Sequence, residues 1–314
     1  FRYVHSLHRR IMLGLASSLV GGAALGPDHF VVQFDGTDDF ASLAANSSLV
    51  PTAAITISGW INVDAEFGGD GWTQTPTAGG GNPNATAGAG INMIGCVASG
   101  GWGISLVRGG TNANPTNQIR GFIRVSDTGS GSEGYETLVW GGKVASVDAA
   151  AALHEIKDFS GWVHLAMTFD GDQVLLYING SSDLNTGAID TSGEQTQATG
   201  SGATINYLIA TPLKIGADAA FNTSEDGFDP ASVFEGAIDE VAIWDAAIDA
   251  AGIAKIYANG VNGSDLASAD GDYDNQGDLQ GYWKMNEGTG TTVADSSSNS
   301  NTLTLKNGPT WVGI

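Results

Sequence analysis

Residues 270–278 read D-G-D-Y-D-N-Q-G-D and place side-chain oxygens at alternate positions, the spacing with which a loop wraps a hard divalent cation. The match to a helix–loop–helix calcium loop fails at two points. Asn275 stands where the sharp turn needs Gly, and Gly281 stands where a bidentate Glu should close the shell. A solvated acidic linker is therefore the expectation for this stretch. The five histidines have no metal-ligand spacing. His154 and His164 lie in patterned segments and His29 at a strand start, so packed or hydrogen-bonded roles are expected for them. The single cysteine, Cys96, excludes an intrachain disulfide and is expected to serve as a small buried hydrophobe. No Gly-rich loop leads from a strand into a helix, which leaves nucleotide binding without support.

The 314 residues carry 34 acidic and 12 basic side chains, a formal net charge of −22. A nucleic-acid backbone is excluded as a partner by this balance, because phosphate binding relies on clustered Lys and Arg. The same balance favours solubility, repulsion between copies and acidic sites for hard cations. Forty-six glycines and few helical patterns favour many strands joined by Gly-rich turns.

The elements that must position any site are most legible in residues 162–180, W-V-H-L-A-M-T-F-D-G-D-Q-V-L-L-Y-I-N-G. Val163, Leu165, Met167 and Phe169 share one face of an extended strand. Asp170-Gly171-Asp172 turns the chain, and Val174, Leu176 and Ile178 resume the alternation, which predicts a β-hairpin with one face in a core. Further strands are expected at residues 30–34 and at 54–63, where Ile55, Ile57, Gly59 and Ile61 share a face. Others are expected at 91–97, 103–107, 119–125, 136–140, 203–210 and 212–216. Residues 234–245 predict a strand in which Ile238, Glu240, Ala242 and Trp244 alternate with Asp239, Val241, Ile243 and Asp245. Short helices are expected at 149–156 and at 246–258, the latter burying Ile248, Ile253 and Ile256 and stopping at Asn259-Gly260. Residues 66–90 and 186–202 read as long polar loops.

Four blocks in order resemble the concanavalin A-like lectin/glucanase superfamily, in its laminin-G-like branch. They are F-D-G-T-D-D-F at 34–40, I-T-I-S-G-W-I at 55–61, W-V-H-L-A-M-T-F-D-G at 162–171 and G-A-I-D-E-V-A-I-W-D-A-A-I at 236–248. The resemblance implies an all-β fold, a two-sheet antiparallel jelly-roll sandwich with one short helix, here with an extended N-terminal arm. Residues 279–311 contain G-Y-W-x-x-x-E-G-x-G-x-x-x-x-D-S-S-x-N-x-N, a block that in many members opens the domain and precedes F-D-G. Its position at the end means either a second domain that stops after one or two strands or a rearranged order. Some 35 residues cannot bury enough apolar surface alone. The block is therefore expected to add strands beside 30–34, in its own or a neighbouring subunit, burying Trp283, Met285, Leu303, Leu305 and Trp311.

The resemblance also implies a structural Ca²⁺ between the F-D-G-x-D turn and the I-D-E strand, held by Asp35, Asp38 and Asp239; turn chemistry alone is the competing account of the first two. Glucanases of this fold set their carboxylates on one strand face as E-x-D-x-x-E. Asp239-Glu240 through Asp245 does not match that spacing, so no catalysis is expected. Sugar binding fits the superfamily and the eight tryptophans, since aromatic faces stack on sugar rings. Trp72 and Trp102, in or near Gly-rich loops, are the candidates, whereas Trp60, Trp162, Trp244 and Trp283 lie in strand blocks and are expected in the core.

Residues 1–27 differ from the rest. Arg2, Arg9 and Arg10 precede the apolar, small-residue run 11–26, and no acidic residue occurs before Asp28. These are the parts of a secretory signal, and the run is too short to span a bilayer comfortably. An assembly arm against copies of the chain or other structural proteins is the expectation; a membrane-surface helix is the alternative. The resulting division is an arm at 1–27, a sandwich at 28–262, and an acidic linker with completing strands at 263–314. The arrangement resembles laminin-G-like virion proteins of marine tailed phages. It predicts a non-catalytic virion subunit, capsid-decorating or part of a tail or fibre, whose loops touch host-surface glycans. The alternative is a secreted or cell-surface carbohydrate-binding module.

Overall fold

The computed structural model describes residues 29–63, 90–97, 101–111, 114–125, 135–141, 161–182, 204–207, 212–217, 233–263 and 265–314. The arm at 1–27, the loops at 66–89 and 186–202, and the helix expected at 149–156 lie outside them. In chain order the strands are β1 (Phe30–Asp35), β2 (Phe40–Leu43), β3 (Ile55–Val63), β4 (Gly90–Val97) and β5 (Gly101–Thr111). They continue as β6 (Asn114–Val125), β7 (Tyr135–Gly141), β8 (Val163–Phe169), β9 (Val174–Ile178), β10 (Leu213–Ile215) and β11 (Glu235–Trp244). After helix α1 (Ala250–Asn259) come β12 (Leu279–Trp283), β13 (Thr292–Val293), β14 (Leu303–Lys306) and β15 (Thr310–Gly313).

These strands form two antiparallel sheets of a jelly-roll sandwich. One runs β15-β1-β11-β3-β8-β9, with β12 pairing the part of β11 beyond β1. The other runs β13-β14-β2-β10-β4-β5-β6-β7. The core lies between them. Val163, Leu165, Met167 and Phe169 of β8 and Val174, Leu176 and Ile178 of β9 all enter it, as their alternation requires. Ile55, Ile57 and Ile61 of β3 enter it too. Gly59 completes that face for a steric reason: a Cβ there would lie 2.8 Å from Cδ1 of Ile94 on the opposite sheet. Removing any of these large side chains would leave a void, because protein interiors are close-packed.

The other face of the first sheet is also covered. Ala166, Tyr177, Ala242, Trp244 and Tyr282 pack against Ile248, Ile253, Ile256, Leu266 and Tyr273. The helix starts later than the Ala-rich run suggests. Asp249 caps it by accepting a hydrogen bond from the Gly252 N–H at 2.8 Å, so the first helical residue is Ala250 rather than Ala246. Ile248 precedes the helix, its N–H donating to Thr56 Oγ1 at 2.9 Å.

The C-terminal block is threaded into both sheets of its own chain. β12 pairs with β11, β14 with β2, and β15 with β1, where Val32 lies opposite Trp311. Trp283, Met285, Leu303 and Leu305 belong to the inter-sheet core, and the half-buried Trp311 packs on it. Asp295 organises the turn between these strands. Its carboxylate accepts from the N–H groups of Tyr282, Ser297 and Asn301 at 2.7–2.9 Å, and Trp283 Nε1 donates to the Asn301 carbonyl at 2.6 Å.

The alternation expected along β11 fails in its middle. Ile238, Val241 and Ile243 all face the inter-sheet core, whereas Ala242 and Trp244 face the helix side. The register with β3 shifts between Asp239 and Ala242, and Glu240 has φ +49°. A β-bulge therefore inserts one residue and reverses every side chain after it.

Candidate functional site

The β1–β2 turn gathers the first candidate site. Asp35 ends β1, Asp38 lies in the turn, and Asp39 immediately precedes β2. Asp35 Oδ1 accepts the Thr37 N–H at 2.8 Å, and Asp39 Oδ2 accepts the Asp35 N–H at 3.1 Å. One carboxylate oxygen from each of Asp35, Asp38 and Asp39 lies within 4.8 Å of the others. Asp35 and Asp38 are exposed and Asp39 is buried. Burial, then the Asp35 charge, push the Asp39 carboxyl up to about 6. An all-oxygen set of three carboxylates, one of them penalised for its own charge, fits a hard cation such as Ca²⁺. The β14–β15 turn closes over this region, with Asn307 Nδ2 donating to the Asp38 carbonyl at 2.7 Å.

Asp239 does not join this cluster, which corrects the ligand set expected from the family pattern. In the β1–β11 register Asp35 faces Glu235 and Val32 faces Ile238, which puts Asp239 beside Val31, about 13 Å along the strand from the turn. Asp39 takes the third position instead. Its signal was present in the sequence as the last Asp of F-D-G-T-D-D-F, next to the first residue of a strand.

Asp239 belongs to a buried polar cluster. Its Oδ2 lies 2.7 Å from His29 Nε2, and both residues are buried. Its Oδ1 has no hydrogen-bond partner among the described residues. Glu240, in the bulge, accepts a hydrogen bond from the Tyr282 hydroxyl. Burial pushes Asp239 up to about 7 against the opposing effect of His29, and Glu240 up to about 8 against the opposing hydrogen bond from Tyr282. The hydrogen bond to Asp239 raises His29, and burial raises the Tyr282 hydroxyl. The cluster thus retains protons at neutral pH, and the paired His29 and Asp239 titrate together rather than singly.

Trp102 is corrected as a sugar-contact candidate. It lies in β5, fully buried in the inter-sheet core, so neither ring face is open to a ligand. Gly101, which opens β5 with φ +91°, and Gly103 flank it within the strand, although such glycines read as a loop. Trp72 lies outside the described residues. Cys96 lies in β4 opposite Trp102, with its side chain outside the described ones. Of the tryptophans expected in the core, Trp60, Trp244 and Trp283 are buried and Trp162 is half-buried.

A second polar feature lies under the helix side of the first sheet. Trp60 and His164 face each other on β3 and β8, with ring centroids 5.0 Å apart. Ser58 Oγ lies 2.8 Å from His164 Nε2. Burial holds the imidazole down at about 3, so it is neutral. The acidic stretch 270–278 makes no cluster of this kind. Asp270 is tied to Lys255 Nζ at 3.0 Å and to Asn259 Nδ2 at 2.9 Å. Among the described residues no helix is long and apolar enough to cross a membrane.

A laminin-G family model, described as the concanavalin A-like lectin/glucanases superfamily, matches residues 35–254. No functionally curated protein matches the chain. Among solved structures, it is similar to a candidate carbohydrate-binding protein from Bacteroides ovatus at 15% identity and a TM-score of 0.46, over 92% of this chain and 61% of that one. It is similar to the heptameric SAP-like pentraxin of Limulus polyphemus at 13% identity and 0.40, over 74% and 83% of the two chains. A third is tailspike protein 2 of an Escherichia coli O157:H7 bacteriophage, at 12% identity and 0.35, over 84% and 31%. The chain thus spans 61% of the length of the first of these and 31% of the third. Likenesses this distant carry no functional information. The family model covers well over half of the residues, and with the two-sheet sandwich it places the chain in the concanavalin A-like lectin/glucanase superfamily.

Proposed function

We propose that this chain is a non-catalytic sandwich subunit of a larger surface assembly, of the kind found in virions, and that it binds carbohydrate while doing so. The observation that carries the non-catalytic reading is the placement of Asp239 and Glu240. Glycoside hydrolysis needs two carboxylates open to the scissile bond. Here the adjacent pair is buried, one committed to His29 and the other to Tyr282. The acidic triad lies in the β1–β2 turn that joins the two sheets and fits a structural cation rather than an acid–base pair. The subunit reading is supported by the contrast between residues 1–27, basic and apolar, and the strongly acidic remainder. A surface of one dominant sign keeps copies apart, so an arm of opposite character is a reasonable means of attachment.

The test has two parts. The native mass of the full chain and of the chain lacking residues 1–26 is measured by light scattering; association of the first and a folded monomer for the second is expected. Glycans captured by the full chain are then recovered and sized; intact glycans are expected. Shortened products establish a hydrolase. Two monomers that both bind glycans replace the assembly reading with a lectin that acts alone.

A further inference from the structure

Tyr257 is the exposed aromatic among the described residues, with 38% of its surface accessible. It lies on α1, and its ring stacks on Trp60 with centroids 5.8 Å apart and planes 24° from parallel. Trp60 is in turn backed by His164, which Ser58 holds in place. The Asn179-Gly180 turn after β9 walls one side of the ring. Gly180 has φ +76°, and a Cβ there would lie 2.8 Å from Tyr257 Cδ1, so only Gly lets the turn approach so closely. The result is a flat ring with one face on a buried tryptophan, one side against the Gly180 turn and part of its surface open to solvent.

Polar groups flank the ring. Asn179 Oδ1 accepts the His164 N–H at 3.0 Å, and its amide N–H₂ has no partner among the described residues. The Tyr257 hydroxyl is likewise without one. Lys255, two residues before Tyr257 on α1, does not share its helix face, and its Nζ lies 3.0 Å from Asp270 Oδ2. A rigid aromatic ring costs little ordering entropy on contact, and it suits the C–H face of a pyranose, with the amide and hydroxyl meeting the sugar hydroxyls.

Resting on the carbohydrate-binding reading above, the geometry points to Tyr257, stacked on Trp60 and flanked by Asn179, as a binding platform for a neutral hexopyranose residue. A net charge of −22 selects against sulfated and sialylated glycans.

The full chain is screened on an array of neutral, sulfated and sialylated oligosaccharides, and the strongest neutral binder is titrated by saturation-transfer NMR. Neutral glycans are expected to bind, with saturation passing from aromatic protons to the sugar C–H protons. Tyr257→Ala is expected to weaken binding about tenfold or more, the size of an anchoring aromatic contact, while Tyr257→Phe keeps most of it. If Tyr257→Ala binds as the unsubstituted chain does, the platform is wrong and carbohydrate binding stands. Binding confined to acidic glycans also overturns the platform. No binding to any glycan overturns both. Should Tyr257→Ala fail to fold, the Tyr257 ring-proton shifts of the unsubstituted chain decide, and shifts unmoved at saturation overturn the proposal.

Discussion

His29 Nε2 and Asp239 Oδ2 lie 2.7 Å apart although 210 residues separate them, and both side chains are buried. The pair joins the entry to β1 to the middle of β11, beside a bulge whose Glu240 binds Tyr282 of β12. The C-terminal strand closes on the same place, with the Ile314 N–H donating to the His29 carbonyl at 3.0 Å. One polar cluster therefore ties together three strands of the first sheet, while the inter-sheet core supplies the bulk of the burial.

Stability is expected to fall as pH rises from mildly acidic to mildly alkaline. Burial pushes the carboxyls of Asp39 and Glu240 up to about 6 and 8, and it raises Asp239, which titrates jointly with His29, above the usual carboxylate range. His29 is raised as well. Groups that hold protons more tightly folded than unfolded contribute stability that is complete below the unfolded value and lost as pH passes the folded one. Urea midpoints at pH 5 and pH 8.5 check this, with the higher midpoint expected at pH 5. Glu240→Gln mimics the protonated acid. It should be near neutral at pH 5 and gain about 1–3 kcal/mol over the unsubstituted chain at pH 8.5.

Removing the imidazole isolates a buried carboxyl. His29→Ala is expected to cost about 3–5 kcal/mol near neutral pH, the range for breaking a buried pair from one side. Because Asp239 Oδ1 already lacks a partner, the variant leaves the whole carboxyl unsatisfied. The loss should shrink in His29→Ala/Asp239→Leu, where nothing charged remains. Chemical denaturation of the two variants separates these outcomes, and equal losses would argue that packing rather than the pair is at stake.

Millimolar Ca²⁺ is expected to raise the melting temperature, and a chelator to reverse the rise. An ion at one hundred times its Kd stabilises by about 2.7 kcal/mol. Asp39→Asn should split the effect by sign. Without the ion it relieves repulsion from Asp35 and is neutral or stabilising; with the ion it abolishes the gain. Asp239→Asn should leave the Ca²⁺ shift in place, since Asp239 lies away from the turn. Scanning calorimetry with and without the ion checks all three.

Trp283→Ala is expected to destabilise by about 3–5 kcal/mol, the cost of emptying a large aromatic site in a core. The variant also orphans the Asn301 carbonyl, which accepts from the indole N–H. Limited proteolysis should then cut within residues 279–314 ahead of the rest. Cleavage elsewhere first would mean that this block is not the least protected part of the variant.

Legibility followed the range of the forces involved. The β8–β9 hairpin could be read because two alternating runs flank a Gly-bearing turn, a local signal, and all seven expected side chains reach the core. The strand at β11 could be found, but its faces could not: the bulge at Glu240 answers to its register with β3 and to Tyr282 on β12, which no local pattern encodes. The start of α1 was blurred by alanines that suit a helix anywhere, until the Asp249 cap is seen. Trp102 reads as a loop residue because glycines on either side mimic a loop, yet it is buried in a strand. The acidic turn was recognised, but its third member depended on register, and Asp39 rather than Asp239 answered it.

The meeting of β1 and β15 governs how the sandwich bears tension. The two strands are antiparallel, with Phe30 opposite Gly313, so a load pulling His29 and Ile314 apart falls on one end of their ladder. Hydrogen bonds in such a ladder lie across the strands and open one after another, like a zipper, instead of sharing the strain in shear. The first rungs to part are those beside the His29–Asp239 pair, after which water reaches both groups and the resistance drops. A module held at those two points would yield at low force and extend, behaving as a soft link.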